Sequence, residues 1–312
     1  MCEPGIFDQA VFAPPNVRPV HALWHHVCTA YDDLFVEETA LHFCGRARDV
    51  RLVKHLLSCG ADGNVEDAVF NDDHTYAVPI LNLACCSGRG EDLYIPEGEN
   101  PWYLKDDLSM VETLIKYADV NKKASLGQEE YDPLGFAADG FADDEDTPAS
   151  QEDRDASLLH HKKIVQLLVE NGADPQRTLQ QRLEMPQILK EVLQGKHSLL
   201  AAAALGNVQA VSEHIAKGAD LGARNLRGRT ALLLACLSAQ KLKISRRPSW
   251  TSEKEHQKKV HQAQEVAALL IEPTRAAGAL DAVDNDGMSS LIVARKNGLD
   301  DIVKMLLKAG AK

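Results

Sequence analysis

Apolar residues return along this chain at spacings of three and four in short runs, and each run closes on the same polar tail. Leu56-Leu57 lead into Ser58-Cys59-Gly60-Ala61-Asp62, Leu168-Val169 into Glu170-Asn171-Gly172-Ala173-Asp174, Ile215-Ala216 into Lys217-Gly218-Ala219-Asp220, and Leu307-Lys308-Ala309 into Gly310-Ala311. Spacings of three and four place apolar side chains on one face of a helix, and a glycine just after such a run ends it in the left-handed conformation. A tail that recurs in this way marks one structural unit copied along the chain. The pattern predicts an all-α fold, a solenoid of stacked helix-turn-helix units joined by short hairpin loops.

The clearest copy runs from Thr39 to Asn64. Thr39 can cap a first helix whose buried side is Leu41, Phe43 and Cys44, and Asp49 starts a second helix carrying Val50, Val53, Leu56 and Leu57. Its Thr-x-Leu-His opening (Thr39 to His42) and Gly-Ala-Asp-x-Asn close (Gly60 to Asn64) resemble the ankyrin repeat. Six copies are recognisable, approximately at 36–64, 78–121, 131–175, 197–225, 228–283 and 286–312. The second closes on Ala118-Asp119-Val120-Asn121 without the glycine, so its turn departs from the others. The resemblance implies that His42 joins a hydrogen-bond network between turns and is not a catalytic base.

The second, third and fifth copies are interrupted between their two helices, at 89–107, 139–157 and 238–262. The middle insertion is acidic and the last basic, and charged segments poor in aromatic residues read as solvated loops. Within the last, Glu253 to Gln262 can extend the following helix backwards. Residues 1–18, with Pro4, Pro14 and Pro15, read as disordered, and 19–35 as an N-terminal capping helix that covers the first repeat of the 36–312 domain. The connection from Asp174 to His197 is longer than a hairpin needs, and Met185 to Leu193 reads as helical.

The formal charge of −12 over 312 residues disfavours nucleic acid and anionic membrane as ligands and favours a protein partner with a basic or mixed-charge surface. Seven cysteines without a Cys-x-x-Cys pair read as reduced thiols. The first residues lack the basic and apolar regions of a signal peptide, and no stretch reaches the length of a membrane span. The chain is expected to be a cytoplasmic monomer, with a nuclear location left open.

No catalytic or nucleotide motif is found, and no cofactor is expected. His25, His26 and Cys28, and His55 with Cys59, are too few for a zinc site, so packing is the better account, as it is for Cys85 and Cys86. Asp284 to Gly287 reads as a hairpin turn, because Ala282 and Val293 stand where a calcium loop needs carboxylates. Arg246-Arg247-Pro248-Ser249 offers Ser249 as a phosphorylation site.

The resemblance implies a non-enzymatic scaffold or adaptor that binds a protein through the concave surface of hairpin tips and first helices. The tips are Glu66, Asp67, Asp72 and Asp73, then Lys122 and Lys123, then Arg224, Asn225 and Arg227, then Asp284, Asn285 and Asp286, with Arg46 and Lys296 on the groove face. Two alternatives stay open: a regulatory ankyrin module of an enzyme complex, and a metal- or redox-responsive scaffold.

Overall fold

The structure is a computed structural model that describes residues 23–25, 35–46, 48–70, 75–85, 107–126, 129–139, 151–181, 185–244 and 253–312. The segment 1–18, the 89–106 part of the first insertion, Asp72, Asp73 and Ser249 lie outside the described residues.

In chain order the elements are β1 (Leu23–His25), β2 (Phe35–Thr39), α1 (Ala40–Arg46), α2 (Val50–Ser58), β3 (Glu66–Phe70), β4 (Thr75–Pro79), α3 (Ile80–Cys85) and α4 (Asp107–Leu114). There follow β5 (Ala124–Leu126), β6 (Glu129–Tyr131), α5 (Pro133–Asp139), α6 (Gln151–Glu170), α7 (Gln176–Gln181), α8 (Gln187–Leu193), α9 (Leu199–Leu205) and α10 (Val208–Ala216). The last are α11 (Ala231–Ile244), α12 (Glu253–Ala276), α13 (Ser290–Lys296) and α14 (Asp300–Lys308). First helices stack on first helices, with α1 on α3, α3 on α5, α9 on α11 and α11 on α13. Second helices do the same, with α2 on α4, α4 on α6, α10 on α12 and α12 on α14.

Local chemistry fixes both ends of each pair. A side-chain oxygen caps the first helix in five copies: Thr39 accepts from His42 N–H, Asp132 from Gly135, Ser198 from Ala201, Thr230 from Leu233 and Ser289 from Ile292. The second helix ends on glycine at positive φ, 95° at Gly60, 96° at Gly172, 75° at Gly218, 70° at Gly278 and 93° at Gly310. In each case the glycine N–H bonds back three residues and the following alanine N–H five, which satisfies the last carbonyls.

The relay predicted for His42 is present and wider than expected. His42 is fully buried, and its Nε2 lies 3.1 Å from the Val78 carbonyl of the next copy, so Nε2 carries the hydrogen and donates. Its Nδ1, 2.8 Å from the Thr39 hydroxyl, then accepts. Asn82 occupies the same register in the second copy and donates from Nδ2 to the Tyr131 carbonyl at 3.0 Å.

Three features differ from the sequence reading. The first is at the N-terminal end, where Leu23–His25 is a strand and not part of a capping helix. It pairs antiparallel with β2, Leu23 opposite Thr39 and His25 opposite Glu37. Strand β2 pairs with β3 on its other edge, and without β1 one edge would present unpaired N–H and C=O groups. The hairpins thus join into one antiparallel sheet in the order β1-β2-β3-β4-β5-β6. Second, Phe43 is 66 % exposed, whereas Phe136 and Leu234 at its register in later copies are buried. No helix pair before α1 is among the described residues to cover it. Third, Gln151 to Ser157, assigned to the acidic insertion, form the first turns of α6. Glu253 to Gln262 are helical, as predicted.

The stretch from Asp174 to His197 holds a further helix pair, with α7 against α5 and α8 against α6. Neither of its junctions carries a hairpin: residues 171–175 lead from α6 to α7 and 194–198 from α8 to α9. The buried side chains accordingly form two clusters that meet here, one from Leu41 to Ala201 and one from Leu199 to Ala311. Gly195 makes the close approach at the seam, since a Cβ there would lie 2.9 Å from Ala202 Cα.

Gly195 at φ 74° and Gly218 at φ 75° are equally left-handed, but Gly218 faces open space. Gly218→Ala should therefore cost only the conformational penalty of about 1–2 kcal/mol. Gly195→Ala should cost more, because a backbone contact must also yield, and urea denaturation of the two variants measures the difference.

His161 is buried in α6, donates from Nδ1 to the Ser157 carbonyl at 2.8 Å, and is held below its ordinary value of 6.5 by burial. The unfolded chain takes up this proton first, so its contribution to stability is complete above pH 6.5 and is lost as pH falls through the unfolded value. Unfolding free energy should drop between pH 7.5 and 5.5, and His161→Gln should flatten that slope.

Candidate functional site

The hairpin between α10 and α11 turns on Asn225. Its Oδ1 accepts from Arg227 N–H at 3.0 Å and Arg229 N–H at 2.9 Å, while its Nδ2 donates to the Glu170 carbonyl at 2.9 Å. Asp284 builds the same turn between α12 and α13, accepting from Asp286 N–H at 3.0 Å and Met288 N–H at 2.9 Å. It is nearly buried, and Arg229 Nε lies 3.2 Å from its carboxylate. This is the turn read from the sequence, and the carboxylate is occupied by backbone and guanidinium.

Most residues proposed from the sequence as partner contacts also brace one junction against the next. Glu66 pairs with Lys122 at 2.7 Å, and Lys123 pairs with Glu130 at 2.5 Å. The hydrogen bond and charge of Lys123, helped by Arg177 at 3.5 Å, hold the Glu130 carboxyl below its ordinary value. Arg224 donates to the carbonyls of Gly228 and Val283, at 3.2 and 2.6 Å. Lys296 Nζ reaches Met288 Sδ at 3.7 Å. Asn285 donates to the Leu226 carbonyl at 3.3 Å and remains exposed, as does Asp286. Arg46 ends α1, Asp67 lies on β3, and Asp72 and Asp73 are outside the described residues.

Arg227 has a structural task that the sequence reading missed. Its Nε donates to the Ile115 carbonyl at 3.0 Å, and its Nη2 donates to the Ala118 carbonyl, both at the end of the second copy. A glycine turn closes the carbonyls three and four residues before the glycine. Here Tyr117 holds the glycine position, and its N–H and that of Ala118 both bond the Leu114 carbonyl, at 2.9 and 2.8 Å. Arg227 takes up two further carbonyls of the same turn. Among the described residues the only non-glycine at positive φ is Arg48, so Tyr117 does not adopt the left-handed cap. Burial, and then the neighbouring Arg229 guanidinium, lower the Arg227 pKa against the opposing pull of Asp119 and Asp286. Because the α6–α7 and α8–α9 junctions lack hairpins, the Arg227 turn can lie across the stack and reach α4.

Where the turn crosses, it leaves an open cavity of about 280 Å³ bounded by Asn64, Lys116, Tyr117, Ala118, Asp119, Arg227, Asn285 and Asp286. Asn64 Oδ1 accepts the Asp119 N–H at 2.6 Å, and the Asp119 carboxylate accepts the Asn121 N–H at 2.9 Å. The repeat framework therefore fixes the walls.

The described residues contain no group of three or more His, Cys, Asp or Glu side chains arranged for a metal ion. Cys59 Sγ and His55 Nε2 lie 3.7 Å apart on the exposed side of α2, while Cys44 and Cys85 are buried. Burial pushes the Cys236 thiol up to about 12, which leaves it protonated and unreactive at neutral pH. No described helix is long and apolar enough to cross a membrane.

The ankyrin repeat family model matches residues 37–68. A crystal structure of an ankyrin repeat domain from Acinetobacter baumannii AYE aligns with 24% identity over 87% of this chain and 98% of that one, at a TM-score of 0.28. A second, of another ankyrin repeat protein, aligns with 19% identity over 88% and 98% of the two chains, at a TM-score of 0.26. No curated protein sequence gives a significant match.

Replacing Arg227 by Ala removes the donors to two carbonyls at a half-buried helix end. The variant should be less stable by about 1–3 kcal/mol, as read from its urea midpoint, which is more than an exposed arginine would cost.

Proposed function

We propose that this ankyrin repeat protein is a non-enzymatic scaffold or adaptor that binds a protein partner through its hairpin tips and first helices. Ankyrin repeats generally mediate protein–protein interactions, and the assignment to this particular chain rests on one observation. Its hairpins are braced against one another, Glu66 to Lys122, Arg224 to Val283 and Asn285 to Leu226, so the tip side chains are held in a fixed row. A surface ordered before binding loses less entropy on association, which is what a recognition surface requires.

The partner is expected to present a basic or mixed-charge face, because the chain carries a formal charge of −12. Asn285, Asp286 and Lys296 are the exposed candidates for contact, whereas Arg227 acts mainly through the fold. The buried, protonated thiol of Cys236 fits a reducing compartment, and we place the protein in the cytoplasm, as a monomer.

Photo-crosslinking residues placed at Asn285 and Lys296, and for contrast at exposed Glu272 and Lys217 on second helices, test this in the native cell. Partner adducts should form at the first two positions. Adducts confined to Glu272 and Lys217 would show that binding uses the opposite face and would overturn the proposal.

A further inference from the structure

The second copy departs from its repeat at the position where departure is least expected. Five copies place a left-handed glycine after the second helix, at Gly60, Gly172, Gly218, Gly278 and Gly310, and the second copy places Tyr117 there. The ring is 48 % exposed, so it is not recruited to fill the core. Ile115 and Ala118, two carbonyls of that turn beyond those a glycine close would bond, are satisfied by Arg227 from a hairpin more than a hundred residues away. The exchange leaves an exposed tyrosine among the residues that line the open cavity, together with Asp119 and Asp286.

Charge then selects the ligand. The guanidinium of Arg227 is directed at the negative end of α4, where the terminal carbonyls already engage it. Asp119 uses one carboxylate oxygen for the Asn121 N–H, and Asp286 is only loosely paired, 3.8 Å from Arg229 Nη2. Lys116 is the remaining cation on the rim. A tyrosine beside two carboxylates, one bonded through a single oxygen and one loosely paired, both sharing the Arg227 guanidinium at longer range, is an environment that can take a further ammonium or guanidinium group. The net charge of −12 draws such groups from a distance.

We infer that this cavity is a subsite for one cationic side chain, arginine or lysine, of the protein partner, with Tyr117 under the cation and Asp119 and Asp286 pairing with it. The inference rests on the scaffold reading above and gives it a defined point of contact. Neutral or anionic side chains lack a partner for the two carboxylates.

Titration of the full chain with acetyl-arginine-amide, followed by backbone amide NMR, tests it. Saturable shifts should appear at Asn64, Lys116 to Asp119, Asn285 and Asp286, with acetyl-citrulline-amide and acetyl-glutamate-amide inactive. Asp119→Asn with Asp286→Asn keeps the backbone-accepting oxygens and should weaken arginine binding about 5-fold or more. Tyr117→Leu should weaken it as well, and Tyr117→Phe should restore it, each with the wild-type circular dichroism spectrum. Absence of saturable shifts, equal response to citrulline, stronger binding of the glutamate probe at Lys116 and Arg227, or indifference to these substitutions would overturn the subsite. Partner adducts at Asn285 and Lys296 that persist when the arginine probe fails would remove the subsite and leave the scaffold. A bound probe without such adducts would do the reverse.

Discussion

Every part of this molecule depends on a helix pair being unable to cover its own apolar faces. The first helices span six or seven residues in most copies, well below the length at which an isolated helix holds together in water. Each pair survives because one side of it lies against the pair before and the other against the pair after. The capped start and the glycine close matter because they return the chain at the angle that stacking needs. The buried bonds from His42 to Val78 and from Asn82 to Tyr131 add direction to that packing, tying the first turn of one copy to the entry of the next. With both ring nitrogens bonded, His42 is fully satisfied in the interior, whereas Asn82 is bonded through Nδ2 and buries its Oδ1 without a partner.

The departures from regularity belong together. Helices α7 and α8 continue the stack without hairpins on either side of them, and this clears the face over which the Asn225 turn lies. That turn supplies the guanidinium that bonds two further carbonyls where the second copy closes without its glycine. An irregular spacer in the middle of the stack, an arginine in the fourth junction and a tyrosine in the second copy thus form one arrangement. No one of them is explicable from its own repeat.

How much of this the sequence discloses follows the range of the interaction involved. The caps and glycine closes are local, so Thr39, Ser198, Gly60 and Gly218 could be read directly, and the helical continuation at Glu253 followed from its period. Residues 23–25 have too short a pattern to separate strand from helix, and their state is decided by the open edge of β2. Phe43 has the character of a core residue and lacks only a neighbour. Asn82 was available through register, two positions into α3 as His42 is into α1, yet a search for histidine passes over it. Arg227 carried no local signal at all, since its partners lie in another copy and look like ordinary backbone. The same limit applies to the cavity, whose walls come from four separate junctions.

Repeat arrays are close to one-dimensional, and their ends can open without disturbing the middle. The guanidinium bonds between residue 227 and residues 115 and 118 change that topology, because they tie the turn between α10 and α11 to the second copy through a contact of long sequence separation. Loss of the fourth copy would uncap the second, so opening should spread as a shared event across the seam where a plain array would fray. The cost falls on assembly. A contact that waits for most of the chain to be in place forms late, and the first cluster must persist through that interval with one helix end unfinished.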